Sequence, residues 1–311
     1  MLKAAERGAA IGATAAQIFS DNPTAWRRRA EPPAELAAFR ERLAELDIGP
    51  LAIHAPYLVN LAGHDAILWE RSVAALANEL RVGAEYGARF VAVHVGSHRG
   101  HGREQGIRRL GEGIRRVLDE APADGEGPLL VLENSAGTGD GIGSSVEDLV
   151  DILEAAARAG ADGDRLGLCL DTAHLWGAGI DVADPAALDA VLRRVDAEAG
   201  PQRLAMVHLN DTRTLRGSRL DRHEHIGAGA IGASGLRHVL THPRLAGVPT
   251  YLETPGMDVG YDAVNMDRVR LLLAGEALPD LPAEAFETRS SGSRSGPPGP
   301  EANAAARVRG A

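Results

Sequence analysis

Six short apolar runs, each ending near a side chain that can bind a metal, constrain the fold of this chain most. The runs have five or six residues, too few for helices, and are almost continuously apolar, as parallel strands buried on both faces are. They read PLAIH, FVAVHV, LLVLE, LGLCLD, LAMVHL and PTYLE, and TAAQIF is a seventh strand candidate. Their terminal donors are His54, His94, Glu133, Asp171, His208 and Glu253.

Longer segments with helical spacing separate these runs, for example Asp65 to Tyr86, Glu104 to Asp119 and Val146 to Ala159. The alternation predicts repeated βα units and a parallel sheet. In a (β/α)8 barrel the strand ends form one rim where side chains converge, whereas a doubly wound sheet spreads them along an open edge. We therefore predict an α/β chain folded as a (β/α)8 TIM barrel.

Composition narrows the class of protein further. The chain has 311 residues, 44% of them hydrophobic and 24% charged, which indicates a globular protein. Its single cysteine, Cys169, excludes an internal disulfide framework, and we expect it to be a small buried residue. No run approaches the ~18 apolar residues of a membrane span, so we expect a cytoplasmic protein. The formal net charge of −10 argues against a generic nucleic-acid coat.

Converging carboxylates and imidazoles predict a bound cation, because bare carboxylates a few ångströms apart repel one another. Two further pairs extend the set of six. The sequence DTAH adds His174 three residues after Asp171, and DRH places Asp221 and His223 on one side of an extended backbone. Nine candidate ligands are enough for two or three ions. Histidine with carboxylate and no thiolate suits zinc, and manganese and iron remain alternatives.

A competing interpretation concerns Gly227, Gly229 and Gly232, whose spacing matches a dinucleotide-binding G-x-G-x-x-G motif. That motif normally follows a buried strand, and here it follows the polar stretch DRHEHI. Glycines that shape a metal-bearing loop are the better explanation. Five other histidines are predicted to be loop or surface residues: His98, His101, His225, His238 and His242.

Seven motifs in order resemble the signatures of the endonuclease IV family, the zinc-dependent apurinic/apyrimidinic endonucleases. They are HAPYLVNLA, HVGSH, LENSAG, CLDTAHLWGAGID, VHLNDT, GSRLDRHEHIGAGAIG and LETP. The resemblance runs from about residue 2 to residue 267 and implies a (β/α)8 barrel. It also implies cleavage of duplex DNA on the 5′ side of abasic sites during base excision repair.

The same resemblance implies three zinc ions. His54, His94 and Glu133 would hold the first, and Glu133 would bridge to the second. Asp171, His208 and Glu253 complete the second site, and His174, Asp221 and His223 form the third. Glu133 and Glu253 are the predicted catalytic carboxylates, with Glu253 orienting the attacking water.

The predicted DNA contacts come from loops on the same rim. Tyr57 and Leu58 resemble residues that the family inserts at the lesion, and Arg222 is a candidate phosphate contact. Further arginines in these loops are also candidates, although about half are expected to be merely solvated: Arg27 to Arg29, Arg213, Arg216 and Arg219. We expect a monomer that binds abasic duplex DNA.

Two alternatives remain open from the sequence. A divalent-metal sugar or sugar-phosphate isomerase or epimerase on the same barrel would use only Glu133, Asp171, His208 and Glu253. A non-catalytic module that binds abasic DNA would result if the chain could not assemble its metal cluster. Metal content and cleavage activity distinguish the three possibilities.

The two ends of the sequence depart from a complete barrel. The segment from Met1 to Phe19 resembles the first helix and second strand of the family, so the first strand is missing. We expect the natural coding region to begin upstream, and expect an added strand to stabilise the fold. The barrel domain is predicted to span 1–278, and 279–311, rich in Pro, Gly, Ser and Ala, is predicted to be a disordered tail.

Overall fold

The computed structural model describes residues 1–29, 31–121 and 127–287, which form a barrel of parallel strands surrounded by helices. Its strands are β1 (Ala16–Ile18), β2 (Leu51–His54), β3 (Phe90–His94), β4 (Leu129–Glu133), β5 (Leu166–Asp171), β6 (Leu204–His208), β7 (Asp211–Thr212), β8 (His223–Glu224) and β9 (Thr250–Tyr251). Its α-helices are α1 (Leu2–Ala10), α2 (Leu36–Glu45), α3 (Ala66–Tyr86), α4 (Arg103–Glu120), α5 (Val146–Arg158), α6 (Thr172–Gly177), α7 (Pro185–Arg194), α8 (Gly232–Thr241) and α9 (Tyr261–Ala274). The predicted strands and helices are confirmed.

The main sheet has seven parallel strands in the order β1-β2-β3-β4-β5-β6-β9, and β7 and β8 form a separate antiparallel pair. Within the described residues, β1 and β9 each pair on one side only, and the opening between them forms a seam in the barrel wall. The predicted TIM barrel with one strand fewer is therefore confirmed. Tyr251 reaches across the barrel near the seam, where its hydroxyl donates to the Pro50 carbonyl at 3.0 Å.

Two hydrophobic layers position the strand ends. The larger lies between the sheet and the helices, and the smaller fills the barrel with Ala52, Phe90, Ala92, Val131, Cys169, Met206 and Tyr251. Side chains alternate along a strand, so the residue two positions beyond an inward residue also points inward. The six predicted strand-end ligands continue this inner layer. Cys169 is fully buried as predicted, and burial raises the pKa of its thiol to about 11.

Contacts with the barrel continue beyond the predicted domain boundary at residue 278. Residues Ala283–Glu287 form a short 3-10 helix, and the Ala285 carbonyl accepts a hydrogen bond from His225 at 3.0 Å. His225 lies in the loop after β8, as predicted, but it is fully buried and not a surface residue. The Pro279 carbonyl likewise accepts from Arg268 at 2.7 Å. These contacts attach the start of the predicted tail to the barrel, and residues 288–311 lie outside the described residues.

No helix in the described part of the chain is long and apolar enough to cross a membrane.

Candidate metal centre

Eight of the nine candidate ligands form three groups at the carboxyl ends of the strands. Within each group the donor atoms all lie within 4.8 Å of one another. The first group is His54, His94 and Glu133; the second is Glu133, Asp171, His208 and Glu253; the third is Asp171, His174 and His223. Glu133 and Asp171 each belong to two groups, so the three groups form one continuous cluster.

Glu133 lies at the centre of this cluster and is fully buried. One carboxylate oxygen is 3.3 Å from His54 Nε2, and the other is 3.1 Å from His208 Nδ1 and 3.2 Å from His174 Nδ1. Burial alone would raise the pKa of Glu133, but the neighbouring imidazoles, first His94 and His208, hold it well below its usual range. The side chain is therefore an ionised carboxylate shared by several imidazoles.

Asp221 is the ninth candidate and closes the third group from the solvent side. Its two carboxylate oxygens lie 3.3 Å from His174 Nε2 and 3.1 Å from His223 Nε2. Burial would raise the pKa of Asp221, but His223 and His174 lower it below its usual range. Asp171 approaches the same imidazoles, with an oxygen 3.8 Å from His223 Nε2. Asp171 thus stands between the second and third groups.

The spacing of DTAH has a local structural cause. Asp171 ends β5 and caps α6, where its Oδ1 accepts from the backbone N–H of His174 at 2.8 Å. Its Oδ2 accepts from Asn210 Nδ2 at 2.6 Å. The cap fixes both the carboxylate and the first turn of the helix, which brings His174 over the cluster.

In three histidines, a hydrogen bond to a backbone carbonyl shows which ring nitrogen carries a proton. His54 Nδ1 donates to Ala55, His174 Nδ1 to Asn134 and His223 Nδ1 to Glu253, at 2.7, 2.9 and 2.8 Å. A carbonyl can only accept, so Nδ1 carries a proton, and Nε2 is the ring nitrogen left to bind a metal. Metal-ligating histidines are held in this way. In the described part of the chain, the buried Nε2 of His223 makes no well-aligned hydrogen bond, although an Asp221 oxygen lies 3.1 Å away.

The donor set fits zinc. Zinc–ligand distances of about 2.0–2.1 Å in tetrahedral geometry place neighbouring ligands about 3.3 Å apart. The closest nitrogen–oxygen separations in the cluster, 3.1 to 3.5 Å, fall around that value. Five imidazoles and four carboxylates, with no thiolate, also match the ligand types that zinc accepts and leave manganese and iron possible.

Three uncharged residues that were missing from the predicted site support its ligands. Asn134 Oδ1 accepts from the backbone N–H of Asp171 at 2.6 Å. Asn210 donates to Asp171 and accepts from the backbone N–H of Glu253 at 2.8 Å. Gln17 contacts both Glu253 and His208. Their sequence signal is a position at or just after a strand end, but a neutral amide lacks the charge or imidazole that marks the predicted ligands.

The glycine-rich loop holds a carboxylate of the protein itself. The buried Asp211 accepts from the backbone N–H groups of Gly229 at 2.9 Å and Ile231 at 3.0 Å, and also from Gly232. A Cβ on Gly229 would lie 2.4 Å from the Thr212 carbonyl oxygen, so this close approach requires glycine. The amides that a pyrophosphate would need are occupied, which argues against the dinucleotide interpretation.

Tyr57 stands at the mouth of the cluster with 43% of its surface exposed. Its ring centroid lies 5.6 Å from that of His54 and 5.4 Å from that of Phe19. Leu58 follows it and is partly exposed. Arg222 is exposed beside Asp221 and donates to the Asp221 carbonyl at 2.6 Å. All three predicted DNA-contact residues therefore flank the candidate ligands.

Several of the other arginines have partners within the protein. Arg28 is turned inward, with only 11% of its side chain exposed, and lies 3.6 Å from the buried Glu79. Arg213 donates to the His223 carbonyl at 2.9 Å, and Arg216 pairs with Asp181. Arg27 is exposed. The expectation that only part of this set is free for phosphate agrees with these contacts.

Known proteins with similar sequences identify the family. Residues 5–277 match the family model described as xylose isomerase-like TIM barrel. A probable endonuclease 4 from Methanoculleus marisnigri is 41% identical over 272 residues, which cover 87% of this chain and 94% of that protein. The chain belongs to the endonuclease IV family.

A solved structure agrees with this membership. The crystal structure of endonuclease IV from Thermus thermophilus is 39% identical, with a TM-score of 0.75 over 88% of this chain and 94% of that one. The structure of an L-ribulose 3-epimerase, 18% identical with a TM-score of 0.61, shares the fold alone.

Proposed function

We propose that this chain is a DNA-repair hydrolase that cuts the phosphodiester on the 5′ side of abasic sites in duplex DNA, using three zinc ions. Family membership and the endonuclease names of the relatives support the nuclease activity. The observation that carries the proposal is the convergence of five imidazoles and four carboxylates at one rim, beside an exposed aromatic ring.

The proposed ion sites follow the observed groups. His54 and His94 would hold the first ion with Glu133, which also lies in the second group. Asp171, His208 and Glu253 would complete the second site. His174, Asp221 and His223 would hold the third, and Asp171 lies beside them. No thiolate is needed at any of them.

When bound, zinc lowers the pKa of coordinated water toward ~7 and supplies positive charge next to the phosphate. The protein fixes the geometry: backbone carbonyls orient three of the imidazoles, and Glu133 stays ionised among them. Glu253, with 23% of its side chain exposed, is the carboxylate that we assign to orienting the attacking water. In this proposal no side chain forms a covalent bond to DNA.

The proposed DNA contacts rest on the exposure of three residues and on their position beside the cluster. Tyr57 and Leu58 would pack against the bases next to the lesion, which supports extrusion of the abasic nucleotide toward the cluster. Arg222 would contact a backbone phosphate. Three dications would offset more than half of the formal charge of −10, and they would do so where the phosphate binds.

The isomerase alternative uses the second group alone. It leaves no role for the imidazoles of His54, His94, His174 and His223, which all face the same cluster. The non-catalytic alternative requires an incomplete ligand set, whereas all nine candidate ligands lie together at one rim.

Metal analysis combined with a cleavage assay tests the proposal. We expect close to three zinc ions per chain, and nicking 5′ to an abasic analogue in an end-labelled duplex without added magnesium. His94→Ala should lose metal and activity, whereas His101→Ala, an exposed histidine outside the ligand set, should lose neither. One metal per chain, binding without cleavage, or activity on free sugars alone would overturn the proposal.

A further inference from the structure

Gln17 occupies the strand-end position of β1 that corresponds to the metal-ligand positions of the other strands. It pairs in register with Ala52, an inner-layer residue, and Ala15, two positions before it, packs against the same layer. Alternation along the strand therefore directs Gln17 into the barrel. Because β1 borders the seam, the Gln17 side chain faces the metal-ligand cluster from the open side of the barrel.

The amide of Gln17 bridges two candidate ligands of the second group. Its Nε2 lies 2.7 Å from Glu253 Oε1, and its Oε1 lies 2.9 Å from His208 Nε2. An ionised carboxylate can only accept, so the amide nitrogen must face Glu253. The amide oxygen then faces His208, and an amide oxygen can only accept. His208 Nε2 must therefore be the donor in that bond.

This chain of hydrogen bonds determines which atoms remain for a metal. One proton of His208 is thereby placed on Nε2, so Nδ1 is the ring nitrogen left to bind a metal in the second group. That nitrogen lies 3.1 Å from Glu133 and 3.5 Å from Glu253 Oε2. In Glu253 the bond to Gln17 occupies Oε1, so Oε2 is the oxygen turned toward His208 Nδ1.

We infer that Gln17 is a positioning residue for the second metal site, acting across the seam through His208 and Glu253. The inference rests on the proposed metal-binding function. Glu253 follows β9, which has no strand partner on the β1 side within the described residues, so no backbone ladder fixes it from there. The Gln17 side chain supplies that connection. Neutral groups that orient metal ligands typically change affinity by about 10- to 100-fold when removed.

Gln17→Leu tests the inference because it removes both hydrogen bonds and roughly preserves volume. We expect zinc affinity at one site, measured by competition with a chromophoric chelator, to fall by about 10- to 100-fold. We also expect the visible absorption bands of the cobalt-substituted protein to shift. The thermal midpoint of the metal-free protein should stay close to that of the wild type. Gln105→Leu, an exposed glutamine on α4, is the matched control and should change none of these.

Gln17→Asn provides a second variant, since it keeps the amide but is too short to reach both partners. It should lose affinity in the same direction. In a Glu253→Ala background, Gln17→Leu should cost a smaller factor than in the wild type, because one of its two partners is already gone. If the loss of zinc affinity in the double variant equals the product of the losses in the two single variants, the proposed action through Glu253 is overturned.

The outcomes separate this inference from the proposed function. If the wild type binds no zinc, the proposed function fails. If the wild type binds three ions and Gln17→Leu binds them with the same affinity and the same cobalt spectrum, only the positioning role fails. A lower midpoint of the metal-free protein with unchanged metal affinity would likewise overturn it, because Gln17 would then be purely structural.

Discussion

The ligands on the continuous wall of the barrel and those beside the seam are held in different ways. On the wall, Glu133 and Asp171 end paired strands, and each faces a partner residue in register on the neighbouring strand. Beside the seam, Glu253 follows a two-residue strand that pairs on one side only, and His223 lies on a short hairpin. Beside the seam, hydrogen bonds from side-chain amides and single backbone carbonyls hold the ligands in place of strand pairing.

The difference shows in burial as well. Glu133, Asp171 and His208 are fully buried, whereas Glu253 and Asp221 keep 23% and 45% of their side chains exposed; His94, at 33%, is the exception on the wall. A rigid, dry wall suits ligands that hold metal throughout a reaction. The seam side is more open, which suits groups that must also contact water and substrate. Its ligands are held by individual hydrogen bonds, which single substitutions can remove.

The largest effect is expected from the centre of the wall. Glu133→Gln replaces a shared anion by a neutral amide among four imidazoles, so at least one ion should be lost. The cleavage rate should fall by at least ~10³-fold, because metal charge stabilisation is worth several kcal/mol. Zinc per chain and single-turnover cleavage measure this, with the exposed Glu112→Gln on α4 as control. Normal zinc content in Glu133→Gln would show that the wall is less important than its burial suggests.

Glu253→Gln probes the seam and should separate chemistry from binding. The amide keeps the size of the side chain, and the backbone N–H of Glu253 remains bonded to Asn210 at 2.8 Å. We expect folding and abasic-DNA affinity to remain largely intact, and cleavage to slow by about 10²-fold or more through loss of the group that orients water. Gel-shift and single-turnover assays on the same preparation test it. An unchanged rate would remove Glu253 from the mechanism.

Asn210→Ala cuts the connection between the two regions and should have the smallest effect. Its amide joins Asp171 on the wall to the backbone of Glu253 at the seam. We expect about 10-fold weaker zinc binding and about 1–3 kcal/mol lower stability, because buried partners lose their hydrogen bonds. Chelator competition and urea denaturation measure the two effects, with the exposed Gln202→Ala as control. Equal metal affinity in Asn210→Ala and wild type would mean that wall and seam are independent.

Much of the architecture could be predicted because it is encoded locally. Short apolar runs ending at residues such as His94 and Glu133 specify buried strands with their donors on the inward face. The spacing of Asp171 and His174 contains both the end of a strand and the cap of a helix. Each pattern lies within a few residues, so no knowledge of distant contacts is needed to recognise it.

The sequence by itself determined the barrel, the inward register of the strand ends and the types of ligand that meet there. Only the tertiary structure decided which nitrogen of His208 is free, because that depends on Gln17, 191 positions away along the chain. It also decided that Asp211 fills the glycine-rich loop and that His225 is buried beneath residues 283–287. Neutral amides and buried polar groups carry no distinctive periodicity. Their roles follow from the partners that folding brings within hydrogen-bond distance.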